Sequence, residues 1–289
     1  MNWRERELIA ELNPNRHRIL ADDKILAKER MVAHGVPVPR TLAVIEDMRD
    51  VARVRHIAGG HEHFVIKPAR GRAGSGIVVL GPKEGDGWRG PSRTVWHERD
   101  IRRRLGNILA GEFAMRLSDR ALIEERLVAG PILGDVPTIG LPDVRVITLH
   151  ATPLMSMVRL PTTASAGKAN LHLGAVGIGV DVDTGRTIGA TWRGRPVTNH
   201  PETRQPLMGI AVAAWDRVMS VAREAARAFP LGYLGVDVSI PRDGRPVVLE
   251  VNVSPGLEIQ NANGRGLRPG IDRLLAARHG RRPERQPVP

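Results

Sequence analysis

Residues 246–258 read PVVLEVNVSPGLE. The segment begins as a buried strand should, with Val247, Val248 and Leu249 in a row. It then sets Glu250 and Asn252 on one face, because strand side chains alternate, and stops at Ser254-Pro255-Gly256. A partner strand, LGVDVSI, lies just upstream at residues 234–240, separated by PRDGRP. Asp-Gly is the favoured pair for a two-residue type I′ hairpin loop, so the turn is expected at Asp243-Gly244. Arg242 then pairs with Arg245, Pro241 with Pro246, and Asp237 with Glu250. Two carboxylates opposed at roughly 4.5 Å between α-carbons destabilise a sheet unless something sits between them. With Asn252 on the same face, the three oxygens suit a hard cation, Mg²⁺, that completes its shell from nucleotide phosphates. The alternative is a solvent-facing edge whose acids pair with Arg193 or Arg195, and spacing alone leaves both open.

A second segment points to phosphates. In VIKPARGRAGSG, residues 65–76, a strand carrying Lys67 leads into a loop with Gly71, Gly74, Ser75 and Gly76. Such a loop can close backbone N–H groups on phosphate oxygens while Lys67 supplies a point charge. It lacks the Gly-Lys-Ser/Thr of a Walker A loop, and a strand instead of a helix follows, so it is not a Rossmann fingerprint either. Taken alone it reads as an ordinary turn.

The rest of the chain reads as mixed α/β (α+β) with antiparallel hairpins. Helices are expected over residues 22–34, with Asp caps and Gly35 as the stop, and over 46–57, 98–109 and 209–229. Strands are expected at 36–45, 63–68, 77–80, 120–127, 143–151 and 154–160, the last two turning around Thr152-Pro153. A hairpin over 175–192 should turn at Asp183-Thr184-Gly185. Residues 81–93 read as a polar, mobile insertion, either a lid or a variable surface loop, and 280–289 as a disordered tail.

Composition bounds the function classes. The 289 residues are 42% hydrophobic, enough for a sizeable core, and contain no cysteine, which excludes disulfides and thiolate chemistry. The N-terminus lacks a signal-peptide pattern and no apolar run reaches the roughly 20 residues of a membrane span, so a soluble cytoplasmic protein is expected. The net charge of +12 invites a nucleic-acid reading. Arginine is dispersed, however, and aromatic residues are only 3%, too few for base-stacking platforms. No specific nucleic-acid partner is expected; a basic surface suits an acidic substrate. Among the few lysines, Lys28 shares a helical face with Lys24 and reads as solvated. His61 and His63 lack zinc spacing, and His172 reads equally as an acceptor-orienting or a half-buried histidine. Leu8, Ile9 and Leu12 form a short apolar stripe that should pack on this chain or on a second copy.

From about residue 22 to beyond 258 the sequence resembles the ATP-grasp superfamily. GVDVSI and LEVNVSPGLE resemble the metal motif of the branch that adds glutamate to ribosomal-protein C-termini, and GKANLHLGAVG (167–177) resembles that branch's Asn-Leu-His segment. The resemblance implies two α+β lobes with nucleotide between them: an N-terminal extension (1–21) in place of the usual leading domain, one lobe over 22–126 and another over 127–279. By position, Lys24 and Lys67 match the phosphate lysines. Glu124, Glu125 and Leu127 match the hinge that reads adenine, and Asp143 the ribose acid. Lys168 and Asn170 match groups near the triphosphate, with Arg145 and Arg159 alongside, and Asp237, Glu250 and Asn252 match the ligands of one or two Mg²⁺ (or Mn²⁺) ions. Leu173 stands where that branch has a basic residue, and Ala175 replaces a glycine. The implied reaction is ATP-dependent joining of a carboxylate to an amine through an acyl phosphate, on a small-molecule or peptide acceptor. A carbohydrate-linked carboxylate, or a nucleotide-binding partner protein without turnover, are the other readings.

Overall fold

The computed structural model describes residues 8–71 and 74–279. The expected disordered tail, the first seven residues of the N-terminal extension, and Arg72 and Ala73 of the glycine loop lie outside the described residues. Two antiparallel sheets organise the chain. A four-stranded sheet runs in the order Thr41–Ile45, Ala121–Glu125, Phe64–Pro68, Val78–Leu80. A seven-stranded sheet runs Arg195–Pro196, Thr187–Trp192, Val176–Val180, Thr152–Leu160, Asp143–Leu149, Tyr233–Ser239, Val247–Asn252.

Period-two alternation divides the larger sheet cleanly. Val144, Val146, Val158, Leu160, Val236 and Val238 point to one face, where they pack with the helix Trp215–Arg227. Ile147, Leu149, Met155, Met157 and Tyr233 point to the other and pack against the helix Glu258–Asn263 and against Leu8 and Ile9. That helix lies close because Gly179 and Gly189 sit beneath it. A Cβ on either would stand 2.4 Å or 2.6 Å from the Ala262 carbonyl oxygen. Further along this second face come Asp143, Arg145, Arg159 and Asp237, so half of it is apolar and half charged.

The decisive hairpin differs from expectation at its turn. Gly244 donates to the Pro241 carbonyl at 2.9 Å and alone takes positive φ, at 73°, so the loop is one residue longer than a type I′ turn. The first pairs are therefore Ser239–Val247 and Val238–Val248, one residue out of the expected register. A bulge at Leu249 then absorbs the extra residue, and the expected pairs Asp237–Glu250 and Gly235–Asn252 follow.

Four other expectations are corrected. Residues 81–93 are not an irregular loop. They contribute to a small sheet (Lys83–Glu84, Gly87–Arg89, Val95–Trp96) anchored by Trp88, which is buried edge-on against Phe64 at 5.5 Å and donates to the His61 carbonyl. The helix expected over 46–57 is two helices, Met48–Ala52 and Val54–Gly59. The helix expected from 209 begins at Trp215, because Ile210 and Val212 hydrogen-bond to Thr187 and Gly185 in the neighbouring hairpin. The turn before Thr152 is made by His150 and Ala151, both at positive φ.

The apolar stripe at the N-terminus is covered within this chain: Ile9 is fully buried and Leu8 nearly so. Asn13 pins the segment. Its Nδ2 donates to the carbonyls of Tyr233 (2.6 Å) and Val253 (2.8 Å), and its Oδ1 accepts from the Tyr233 N–H (3.0 Å), all out of water. Asn13→Ala should therefore lower unfolding stability by about 1–3 kcal/mol, the cost of leaving buried polar groups unpaired. Urea denaturation measures it, and an unchanged midpoint would mean that the segment is not docked.

Candidate active site

The charged half of the sheet carries a lattice of five charged side chains, with one amide beside them. Asp237 is fully buried, and Arg145, directly opposite it, donates to both its oxygens at 2.7 Å. Arg159 donates to both oxygens of Asp143 at 2.6 Å and reaches Asp237 Oδ2 at 2.7 Å. Glu250 lies at the rim, 4.0 Å from Arg145, and Asn252 Nδ2 stands 3.3 Å from Glu250 and 3.4 Å from Asp237. Cross-strand register brings these residues together: one row of the sheet is Asp143 and Arg159, the next Arg145, Asp237 and Glu250. Burial works against ionisation of Asp237, yet the two arginines outweigh it and hold its carboxyl well below the usual range. Burial pushes Asp143 up to about 6 against the pull of Arg159.

The second group comes from the smaller sheet and the helix Lys24–Ala33. Asp23 caps that helix by accepting from the N–H groups of Ile25 and Leu26, and Arg120 holds the other oxygen of Asp23 at 3.0 Å. Lys24 is thereby placed to donate to the Gly71 carbonyl at 2.5 Å. Glu124 accepts from Lys67 at 2.5 Å and from Lys28 at 2.6 Å, with all three groups largely buried. Burial opposes ionisation of Glu124, but the two ammonium groups hold its carboxyl below the ordinary value. Lys28, expected to be solvated, is instead a buried partner of Glu124. The sequence carried no local signal of this, because Glu124 lies 96 residues away.

The lysine group and the lattice meet at Glu250. Lys24, Lys28, Lys67 and Glu124 on one side, and Leu249 and Glu250 on the other, line one opening between the sheets. The Val248 N–H bonded to the Pro37 carbonyl (2.8 Å) ties its edge. The glycine loop borders this region. Gly76 has φ 75° and a Cβ there would run into Phe113, so the loop's path needs glycine.

Other expected residues stand apart or have other partners. Lys168 is exposed and makes no ion pair among the described residues. Asn170 caps the short helix Leu171–Leu173 through its own side chain, accepting from His172 N–H. Neither contacts the lattice. Asp143, expected at a ribose, has both oxygens on Arg159. At the expected hinge, Glu125 exchanges hydrogen bonds with the Arg40 backbone (2.7 and 3.0 Å), while Leu127 makes no backbone hydrogen bond among the described residues.

Three His, Cys, Asp or Glu side chains do not converge as a metal cage anywhere among the described residues. A cation here would have to take Asp237, Glu250 and the amide oxygen of Asn252, with the rest of its shell from water or phosphate. That donor set fits Mg²⁺, which binds through one or two carboxylates and substrate phosphates, and Mn²⁺ by the same chemistry.

A family model described as sugar-transfer associated ATP-grasp matches residues 3–274. No curated protein matches the chain. Among solved structures, the ATP-grasp ligase PsnB complexed with a phosphomimetic variant of its minimal precursor, Mg and ADP is 17% identical, over 92% of this chain and 60% of that one, with a TM-score of 0.50. D-alanine–D-alanine ligase from Bacillus anthracis, complexed with ATP, is 16% identical over 89% of this chain and 65% of its own, also at 0.50. D-cycloserine synthetase DcsG is 15% identical over 89% and 71%, at 0.48. The chain thus spans about three fifths of the PsnB chain, and at these identities the likeness is one of fold. The matching family model is not that of the ribosomal-protein glutamate ligases. Sequence and sheet topology agree on one superfamily, and the match over nearly the whole length narrows it: this chain belongs to the sugar-transfer associated ATP-grasp family.

Proposed function

We propose that the protein is an ATP-dependent carboxylate–amine ligase that forms an amide through an acyl phosphate, releasing ADP and phosphate. The observation that carries this reading is the opening in which Lys24 and Lys67 face the Glu250 strand. Cations suited to phosphates there stand opposite Glu250, a carboxylate suited to a metal ion, which supports the reading. Lys24, Lys67 and the loop of Gly71, Gly74, Ser75 and Gly76 hold the phosphates. Glu124, Glu125 and Leu127 form the hinge beside the base, with the two lobes on either side of it. Asp143 orients Arg159; to serve a ribose it would have to release that guanidinium. Arg145 and Arg159 supply positive charge beside the transferring phosphoryl group, where charge accumulates on equatorial oxygens. Bound by Asp237, Glu250 and Asn252, Mg²⁺ would neutralise phosphate charge. Lys168 and Asn170 belong to the loop that would close over the triphosphate. No nucleophilic side chain is required. Solved ligases of like fold hold ATP, or Mg and ADP, which supports a nucleotide in this opening.

The acceptor has two readings. One is a peptide or small molecule, acidic to suit the basic surface, extended by glutamate or a related amino acid. The other is a carbohydrate-linked carboxylate, and the description of the matching family favours it. No helix is long and apolar enough to cross a membrane among the described residues. ADP release should be screened against amino acids paired with acidic peptides and with carboxylated saccharides. Release that requires both a carboxylate and an amine is expected. MgATP binding without release under any pairing would instead favour a nucleotide-binding protein without turnover.

Lys67→Met should weaken MgATP binding and lower turnover by about 10²–10³-fold, the range for removing one preorganised charge-stabilising group. It also frees Glu124 to pair with Lys28 alone, so the fold should persist. Turnover near the wild-type rate would show that the Phe64–Pro68 strand does not hold phosphate.

A further inference from the structure

Asp237 has more partners than a waiting metal ligand needs. Both oxygens accept from Arg145, one also accepts from Arg159, and no part of the residue reaches solvent. The two arginines are not equivalent. Arg159 is held by a second buried carboxylate, Asp143, through two bonds of 2.6 Å. Among the described residues Arg145 has only Asp237 as a close partner, Glu250 being 4.0 Å away.

We infer that Arg145 competes with a divalent cation for Asp237 and must let go of that carboxylate before such an ion can bind there. The inference rests on the reading of this opening as a metal–nucleotide site. Charge supports it: three carboxylates (Asp143, Asp237, Glu250) and two guanidiniums leave a single net negative charge, a weak attractor for a free divalent ion. Geometry supports it as well. The planar fork of arginine fits two oxygens of a phosphate as well as two of a carboxylate, so an arriving triphosphate offers Arg145 an equal partner. Free metal offers none and would leave a guanidinium stranded with little access to water. Metal and nucleotide should therefore bind as a pair, each strengthening the other by the same factor.

The test is Mn²⁺ binding without nucleotide, followed by electron paramagnetic resonance or calorimetry, for the wild type, Arg145→Met and Arg145→Met/Glu250→Gln. The wild type should bind free Mn²⁺ weakly and gain affinity when ADP is added. Arg145→Met should bind free Mn²⁺ roughly tenfold or more tightly, since a unit charge at contact distance is removed from the ion's position. The double variant should lose that gain, which places the ion between these strands. Should Arg145→Met fail to fold, Arg145→Lys keeps the charge but not the two-pronged grip, and a smaller gain is expected. Equal affinity for free Mn²⁺ in the wild type and the folded variant overturns the role of Arg145. Failure of the wild type to bind Mn²⁺ even with ADP would instead overturn the metal–nucleotide reading itself.

Discussion

Replacing Asp237 with alanine should lower the unfolding free energy by about 3–5 kcal/mol, the range for breaking a buried ion pair from one side. The residue is fully buried and joins two guanidiniums, whose own side chains are 12% and 13% exposed. Without it Arg145 has, among the described residues, no carboxylate within 4 Å except Glu250, while Arg159 keeps Asp143. The loss should thus arise mainly at Arg145, and Asp237→Ala/Arg145→Met should recover part of it, because the stranded charge goes too. The pH dependence follows from the depressed carboxyl. Its folded value lies below the unfolded value of about 4, so its contribution is complete above that pH and is lost as pH falls toward the folded value. Urea denaturation at pH 7 and below pH 4 measures both. A loss under about 1 kcal/mol at pH 7, the size of an exposed pair, would mean that water reaches the lattice.

Glu250→Ala should do the opposite, leaving stability within about 1 kcal/mol of wild type while turnover falls roughly 10³-fold. Glu250 is partly exposed at the rim, makes no ion pair closer than 4.0 Å among the described residues, and stands opposite another carboxylate, so removing it relieves repulsion within the sheet. What it would contribute is a ligand to the cation that neutralises phosphate charge. Thermal unfolding and ADP release, measured on one preparation, separate the two effects. Turnover within tenfold of wild type would remove Glu250 from the metal site. A large loss of stability would mean that it belongs to the lattice as a structural member.

The two substitutions lie directly across one strand pair, yet their expected outcomes differ because burial differs. One carboxylate has been taken wholly from water and is compensated by arginine. The other keeps contact with the opening and remains available to a ligand.

Local pattern carries far in this chain. The alternation in DVRVITL, LMSMVRL and LGVDVSI assigns apolar and charged faces before any contact is known, since side-chain direction depends only on position along a strand. The Asp cap before Lys24 and the strand bearing Lys67 are legible in the same local way, and the superfamily through the resemblance of the motifs, whereas the opposition of Asp237 to Glu250 survives only because the bulge at Leu249 cancels the longer turn. The turn at 241–244 shows the limit. Asp-Gly signals a hairpin, but whether one or both residues take positive φ depends on how the strands twist against their neighbours, and the bulge at Leu249 is set there too. Residues 81–93 look mobile because their composition is polar, whereas Trp88 finds a pocket beside Phe64 that exists only once the smaller sheet has formed. Lys28 looks solvated by helical spacing, and its partner Glu124 arrives from 96 residues away. The charge lattice is the strongest case. Asp143, Arg145, Arg159, Asp237 and Glu250 come from four strands, and which arginine holds which acid follows from register across the sheet, a property of the packed chain that no single segment encodes.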